Sequence, residues 1–140
     1  MAGGRAEGRG KLRPEGHRAG TQNLRSVARA FSKYGVNYLT LFAFSTENWE
    51  LPEDEVQNLL DVLGEVMKYE IDDLHRENVK IRHMGRLDRL SAQLQQSILD
   101  SIRLTQNNSG ITIVGAFDYG GRDDILNAVR QIVSDGISPN

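Results

Sequence analysis

The sequence predicts an α/β fold with a mainly parallel sheet flanked by helices. Helix-like and strand-like segments alternate along the 140 residues, and two of the strand-like segments are continuous apolar runs that each end in a polar cluster. Such alternation builds parallel sheets through right-handed crossovers. A chain of this length is typical of one domain, so we expect residues 1–140 to form a single domain.

The first half of the chain is predicted to contain a helix, a strand and a second, longer helix. The first helix starts near Thr21 and is ended by Gly35. The run 36–44 is rich in β-branched and aromatic residues, which predicts a strand buried on both faces. A long amphipathic helix opens at Pro52 and ends at Asn78. The inward positions are Leu24, Val27, Phe31 and Tyr34 in the first helix, and those from Val56 to Leu74 in the second.

The second half repeats the alternation of strand and helix. Residues 79–84 alternate between apolar and polar, which predicts a strand with one face less buried. Ser91 is predicted to cap a helix that runs to about Thr105. The apolar run 111–117 predicts a third strand, and a last helix follows from Asp123. The inward positions of that last helix are Ile125, Ala128, Val129, Ile132 and Val133.

The composition excludes several classes of protein. There is no Cys, which rules out disulfides, zinc–thiolate sites and thiol catalysis and is compatible with a reducing cytoplasm. The formal net charge of −2 gives no global reason to expect nucleic-acid binding. No apolar run approaches the length of about 18 residues that a membrane-spanning helix needs. We therefore expect a cytoplasmic protein without a membrane span.

Polar clusters follow two of the predicted strands, at residues 45–49 and 118–122. The carboxyl ends of parallel strands meet at one edge of a sheet, where ligands of open α/β sheets bind. The first cluster combines two hydroxyls, a carboxylate, an amide and the only Trp of the chain. We therefore expect both clusters to line one site.

A basic, glycine-rich segment at residues 1–18 precedes the first helix. It is either a disordered tail or an anion site, because Gly lets backbone N–H groups approach an oxyanion and Arg adds paired donors. His17 stands near Arg13 and just ahead of the helix, where backbone donors favour phosphate. A diphosphate site at this end of the sheet is the sharper of the two interpretations.

Residues 44–49, Phe-Ser-Thr-Glu-Asn-Trp, resemble the motif of the cis-prenyltransferases, the undecaprenyl diphosphate synthase family. The block 10–20, the strand block 79–85 and Tyr-Gly-Gly-Arg at 119–122 also fit that family in order and spacing. The resemblance implies transfer of isopentenyl diphosphate to an allylic diphosphate such as farnesyl diphosphate, with Mg²⁺ assisting departure of the allylic diphosphate. It also implies a homodimer, and a lipid product would allow peripheral membrane association.

The resemblance assigns roles to residues of this sequence. Asn48 is implied to be catalytic, assisting removal of the isopentenyl proton; a neutral amide is a poor base, so we expect it to act by positioning. The substrate-binding residues are Gly3, Gly4, Arg5, Arg13, His17, Ser45, Thr46, Glu47 and Trp49.

Departures from the family pattern predict impaired activity. Aligned with gaps, Ala2 stands where the family has the Asp that serves Mg²⁺ and diphosphate; aligned without gaps, that Asp would lie before residue 1. No metal ligand is assigned in either case, and Leu51 replaces an Arg. The milder change is Asp118, where Asn is common. The family's first strand, its later Arg-x-Ser block and its metal-binding Glu are not found, which predicts an incomplete fold truncated at both ends.

Two other functions are weighed against a transferase. The first is a non-catalytic partner subunit with the same fold, although the retained Ser-Thr-Glu-Asn-Trp motif argues against it. The second is nucleic-acid binding through the basic segment, which is disfavoured because that segment has no interleaved aromatic residues.

Overall fold

A computed structural model describes residues 23–138. In this range an α/β arrangement of five α-helices, three strands and one 3₁₀ helix is found. In chain order the elements are α1 (Leu24–Lys33), β1 (Tyr38–Ser45), the 3₁₀ helix (Thr46–Glu50), α2 (Glu53–Tyr69), α3 (Ile71–Arg76), β2 (Lys80–Met84), α4 (Ala92–Thr105), β3 (Thr112–Tyr119) and α5 (Gly121–Ser134).

The three strands form one parallel sheet in the order β1-β3-β2. Thr112, at the start of the central strand, lies level with Tyr38 on one side and Lys80 on the other. The predicted parallel sheet is therefore confirmed. Because all three strands run in the same direction, their carboxyl ends emerge at one edge.

The hydrophobic core consists of two clusters. The first joins Ala28 of α1, helix α3 and the first halves of β2 and β3. The second lies near the carboxyl ends of β1 and β3 and includes Phe44, Phe117 and apolar residues of α2 and α4. Met67 and Ile102 pack against both clusters, so a single continuous core supports the edge where the strands end.

The prediction that the first strand is buried on both faces is wrong. Within the described residues β1 is an edge strand, and Tyr38 and Phe42 are 72% and 65% exposed. Leu39 and Leu41 on the opposite face pack against the core. Apolar composition predicted the strand itself, but burial on its second face depends on what packs there.

The prediction of one unbroken helix from Pro52 to Asn78 is also wrong. The chain bends at Glu70, which separates α2 from α3. Glu70 accepts a hydrogen bond from Arg25 Nε at 2.8 Å, a contact between residues 45 positions apart. After the bend, Ile71 and Leu74 point into the first core cluster, so both halves keep their apolar face inward.

Burial of the first and last helices differs from the prediction. In α1 the buried residue is Ala28, while Phe31 and Tyr34 of the predicted inward face are exposed. Residues of α5 are predicted to point inward, yet none of them is buried. Periodicity shows which face of a helix is apolar but not whether another element covers it.

The helix capped by Ser91 is confirmed at both ends. Ser91 Oγ accepts a hydrogen bond from the Leu94 N–H at 3.3 Å, and the helix ends at Thr105. Gly35 (φ +75°) follows α1 as predicted. In the part of the chain that the structure describes, no helix has both the length and the apolarity required to cross a bilayer.

Candidate active site

The site forms where β1 and β3 end side by side. Ser45, the last residue of β1, lies level with Tyr119 of β3. The two polar clusters therefore meet at one edge, as predicted. One detail differs: β3 extends to Tyr119, so Asp118 belongs to the strand and not to the loop after it.

The 3₁₀ helix at Thr46–Glu50 is held by a capping box between Ser45 and Asn48. The backbone N–H of Ser45 donates to Asn48 Oδ1 at 2.8 Å. This bond uses the acceptor end of the amide, so Asn48 meets a ligand as a donor through Nδ2. Such an arrangement suits binding or orienting an anionic oxygen and does not suit removing a proton directly.

Trp49 connects this turn to the neighbouring strand. Its Nε1 donates to Asp118 Oδ1 at 2.9 Å, and its ring packs edge-on against Phe44 with centroids 5.1 Å apart. The side chain is half-buried. The packing of its ring and the hydrogen bond of its N–H together hold the indole in place. Asn48 directly precedes Trp49 in the chain.

Asp118 is the most enclosed polar residue of the site. Its side chain is fully buried, and its backbone has φ +47°, a left-handed conformation that Asp and Asn tolerate better than most residues. Arg89 Nε donates to Asp118 Oδ2 at 2.7 Å, and Arg89 Nη2 pairs with Oδ1. The guanidinium thereby supplies the counter-charge that a buried carboxylate requires.

Arg89 was missed by the sequence analysis. It lies in the loop between β2 and α4, where no periodicity applies, and it contacts Asp118 from 29 positions away. Only one signal was available: a carboxylate at the end of an apolar strand needs a cationic partner when it is buried.

Two glycines let neighbouring segments approach closely at this edge of the sheet. A Cβ on Gly85 (φ +108°) would lie 2.1 Å from the carbonyl oxygen of Phe117, and one on Gly120 would lie 2.5 Å from Thr46 Oγ1. The next residue, Arg86, donates its N–H to the carbonyl oxygen of Asp118 at 3.1 Å. The ends of all three strands are thus tied together at this edge.

His83, near the end of β2, is half-buried beside the site. Burial lowers the pKa of its imidazole, and this outweighs the opposing effects of the Gly85 carbonyl and of Asp118. Nε2 lies 3.2 Å from the Gly85 carbonyl oxygen. These surroundings favour a neutral ring that contributes to packing, which agrees with the strand position predicted from sequence.

An apolar cavity of about 400 Å³ is lined by residues of all three strands and of α1, α2 and α3. Ala43 and Phe117 line it, and these residues precede Ser45 and Asp118 closely in the chain. Further lining residues are Leu24, Leu41, Leu63, Met67, Ile71 and Ile113. The volume is within the range of about 300–1,000 Å³ common to small-molecule sites. A larger groove of about 800 Å³ lies between α2 and α4. Neither space is lined by a residue of 45–49 or 118–122, but the apolar cavity reaches Ala43 and Phe117, which come just before those clusters in the chain.

The structure places five of the predicted site residues in one turn: Ser45, Thr46, Glu47, Asn48 and Trp49. Glu47 is exposed. The other five lie outside the described residues, namely Gly3, Gly4, Arg5, Arg13 and His17, as does the whole segment 1–18. Convergence of the two groups on one pocket remains a prediction.

The described residues do not fit a Mg²⁺ site by themselves. Residues 23–138 hold no group of three or more His, Asp or Glu side chains placed to bind a metal ion. Both oxygens of Asp118 are engaged by Arg89 and Trp49. We therefore assign no chemical step to a metal ion through these side chains.

Comparison with known proteins identifies the family. Residues 3–140 match the family model described as "Putative undecaprenyl diphosphate synthase". The chain belongs to the cis-prenyltransferase family. This family of undecaprenyl diphosphate synthases is the one that the motif at 44–49 resembles.

Curated members of this cis-prenyltransferase family are similar to most of the chain. The isoprenyl transferase of Clostridium perfringens is 40% identical over 93% of the chain, and that of Rhizobium meliloti is 42% identical over the same share. The match covers 51% and 53% of those two proteins. The chain thus spans about half the length of the curated relatives it matches.

A solved cis-prenyltransferase structure has the same arrangement of elements. Lavandulyl diphosphate synthase from Lavandula x intermedia, crystallised with dimethylallyl diphosphate, matches with a TM-score of 0.87 and 30% sequence identity. The match covers 92% of this chain and 56% of the lavender enzyme. The agreement confirms the fold class across the matched part of both chains.

Proposed function

We propose that this chain is an isoprenyl transferase that joins isopentenyl diphosphate to an allylic diphosphate, such as farnesyl diphosphate, with impaired turnover. In this reaction a new carbon–carbon bond forms, the allylic pyrophosphate leaves, and the isopentenyl unit loses one proton. The observation that carries the proposal is the capped Ser45–Trp49 turn, which begins two residues after Ala43, a lining residue of the apolar cavity.

The two halves of that site match the two halves of an isoprenoid diphosphate. The apolar cavity is lined mainly by aliphatic and aromatic side chains, and burial of an isoprenoid tail there gains about 25 cal/mol for each Å² removed from water. The Nδ2 group of Asn48 and the hydroxyls of Ser45 and Thr46 suit phosphate oxygens. Curated relatives that are isoprenyl transferases support this assignment.

The proposed role of Asn48 follows from its hydrogen bond. Because Oδ1 is held by the Ser45 N–H, the amide acts as a donor that orients the isopentenyl diphosphate. The proton then passes to a phosphate oxygen or to water, since an amide does not accept it at neutral pH. Positioning of reacting groups accounts for large parts of enzymatic rate enhancement.

Arg5, Arg13, His17 and the backbone of Gly3 and Gly4 complete the proposed diphosphate site. Mg²⁺, homodimer formation and a cytoplasmic location likewise remain predictions. A magnesium titration of the transfer rate tests the first, and sedimentation of the purified chain tests the second.

Transfer of radiolabelled isopentenyl diphosphate to farnesyl diphosphate tests the proposal. We expect the chain to bind farnesyl diphosphate by calorimetry and to form labelled product more slowly than the Clostridium perfringens enzyme assayed beside it. Asn48→Ala should lower the rate by about 100-fold, as expected for loss of a positioning donor. Asn58→Ala, on the exposed face of α2, is the matched control.

Three outcomes would contradict parts of this proposal. Absence of both binding and product would overturn the transferase function and favour the non-catalytic partner subunit. Elongation as fast as that of the Clostridium perfringens enzyme would overturn the predicted impairment. An unchanged rate in Asn48→Ala would overturn the role of the amide.

A further inference from the structure

We propose that Asp118 is a positioning residue, which sets the orientation of the Asn48 turn through Trp49 and is itself held in place by Arg89. The inference rests on the proposed function for the role of Asn48. The cluster of these three side chains, Trp49, Arg89 and Asp118, is called the edge cluster below.

The Asp118 carboxylate forms an ion pair inside the protein. The Asp118 side chain has no exposed surface, whereas Arg89 retains 37% of its side-chain exposure. A buried carboxylate is costly unless it is paired and fully hydrogen-bonded. Arg89 meets both carboxylate oxygens, a forked geometry that fixes the carboxylate plane as well as its charge.

The Asp118 carboxylate is linked to the turn through Trp49. Oδ1, one of the oxygens held by Arg89, is also the acceptor for Trp49 Nε1. The Arg89 guanidinium carbon additionally lies 5.2 Å from the centre of the Trp49 ring. Any movement of the carboxylate therefore moves the indole, and Asn48 is covalently attached to Trp49.

The edge cluster joins three segments of the chain. Trp49 belongs to the 3₁₀ helix after β1, Arg89 to the loop after β2, and Asp118 to the end of β3. The turn is also held by its capping box, in which the Ser45 side chain accepts from the Asn48 N–H and Asn48 Oδ1 accepts from the Ser45 N–H. The capping box shapes the turn locally, while the edge cluster fixes it relative to the sheet.

Substitutions at Asp118 separate the charge from the hydrogen bond. Asp118→Asn keeps an acceptor for Trp49 and tolerates the left-handed backbone, but it leaves Arg89 without a counter-ion. Asp118→Asn combined with Arg89→Gln replaces the ion pair by two neutral amides. Asp118→Ala removes every acceptor of the cluster.

The test uses the fluorescence of Trp49, the only Trp in the chain. We expect acrylamide quenching to increase in Asp118→Ala and in Asp118→Asn, and to return toward the wild-type value in the double variant. In the transfer assay we expect kcat to fall by about 10- to 100-fold in Asp118→Ala, with a smaller change in KM for isopentenyl diphosphate. Circular dichroism should show folded protein in the Asp118→Asn variants.

Asp88→Asn is the matched control. It removes the charge of the other Arg–Asp pair of the same loop, whose side-chain hydrogen bonds join Arg86 to Asp88 and do not include the turn or Trp49. We expect wild-type quenching and kinetics for this variant.

The fluorescence and kinetic measurements test different parts of the proposal. Unchanged quenching in both Asp118 variants would overturn the edge cluster even if the chain is an active transferase. Altered quenching with unchanged kcat would show that the cluster does not position Asn48. Altered quenching in a chain that binds no isoprenoid diphosphate would refute the proposed function and leave the structural coupling in place.

Discussion

Asp118 illustrates how a single position acquires a role from its surroundings. Its side chain is buried and its backbone is left-handed, and either feature alone disfavours most residues. Asp is one of the few non-glycine residues that adopt this backbone conformation readily, and it tolerates burial because Arg89 pairs with it. Both features lie within a few ångströms of the proposed site, where such irregularities concentrate.

Replacing Gly85 or Gly64 by Ala should change the free energy of unfolding in opposite directions. Gly85→Ala should destabilise the fold by about 1–2 kcal/mol for the left-handed backbone and about 1–3 kcal/mol for displacing the strand beneath it. The displaced atom is the Phe117 carbonyl oxygen, 2.1 Å from the new Cβ. Urea unfolding followed by circular dichroism measures the change.

Gly64→Ala provides the control for that experiment. Gly64 lies inside α2, and a Cβ there meets nothing within 4 Å. We expect a gain of about 0.5–1 kcal/mol from reduced backbone entropy in the unfolded chain. Equal effects of the two substitutions would contradict the close approach at Gly85.

At the scale of elements, local signals and tertiary contacts determine different things. The cap at Ser91 defines the start of α4, and a local signal was sufficient to predict it. The bend at Glu70 coincides with a bond from Arg25, which no window of neighbouring residues contains. The apolar side of α5 also depends on tertiary contacts. Helical spacing identifies that side but does not show whether another element packs on it.

Ser91→Ala should lower the free energy of unfolding by about 1 kcal/mol, since the Leu94 N–H loses its capping acceptor. Ser97→Ala, in the same helix, is the matched control. Its hydroxyl bonds back to the Gln93 carbonyl oxygen, and Ala is the better helix former by about 0.5 kcal/mol. Thermal unfolding of the two variants should therefore shift in opposite directions, and a loss at Ser97 as large as that at Ser91 would contradict the cap.

For the whole molecule, ion pairs connect α1 to the region around α3. Arg25 pairs with Glu70 and Asp73, and Arg29 pairs with Glu77 through both of its oxygens. These contacts span 45 to 48 positions of sequence, so they exist only in the folded chain. They supplement the single buried residue of α1, Ala28.

The Arg29–Glu77 pair predicts a pH dependence of stability. The hydrogen bond from Arg29 lowers the pKa of Glu77 below its usual value of 4.5, and burial opposes this only partly. A carboxyl whose pKa is lower in the folded state stabilises the fold above its unfolded pKa and loses that contribution as the pH falls through the folded value. When the pH is lowered below about 4.5, we expect the free energy of unfolding to fall less in Glu77→Gln than in the wild-type chain.

Asp88→Asn serves as the control in a urea titration between pH 6 and pH 3. Arg86 lowers the pKa of Asp88 as well, but these residues are two positions apart, so the pair also forms in the unfolded chain and contributes less to the difference. Parallel stability curves for Glu77→Gln and the wild-type chain would contradict the prediction.

Much of the architecture followed from short-range patterns. Apolar periodicity and turn chemistry predicted the order of helices and strands, the parallel sheet, the cap at Ser91 and the meeting of the two polar clusters. These features depend on neighbouring residues or on the common direction of parallel strands. The motif at 44–49 likewise identified the family, because its residue types and order are specific.

Other features arose only when distant segments came together. The exposed second face of β1, the bend at Glu70, the uncovered side of α5 and the pairing of Arg89 with Asp118 each depend on residues tens of positions apart. Local patterns identify the residues that need an apolar or a charged neighbour in the folded protein. Packing of the folded chain selects the neighbour, because burial and charge compensation are properties of three-dimensional surroundings.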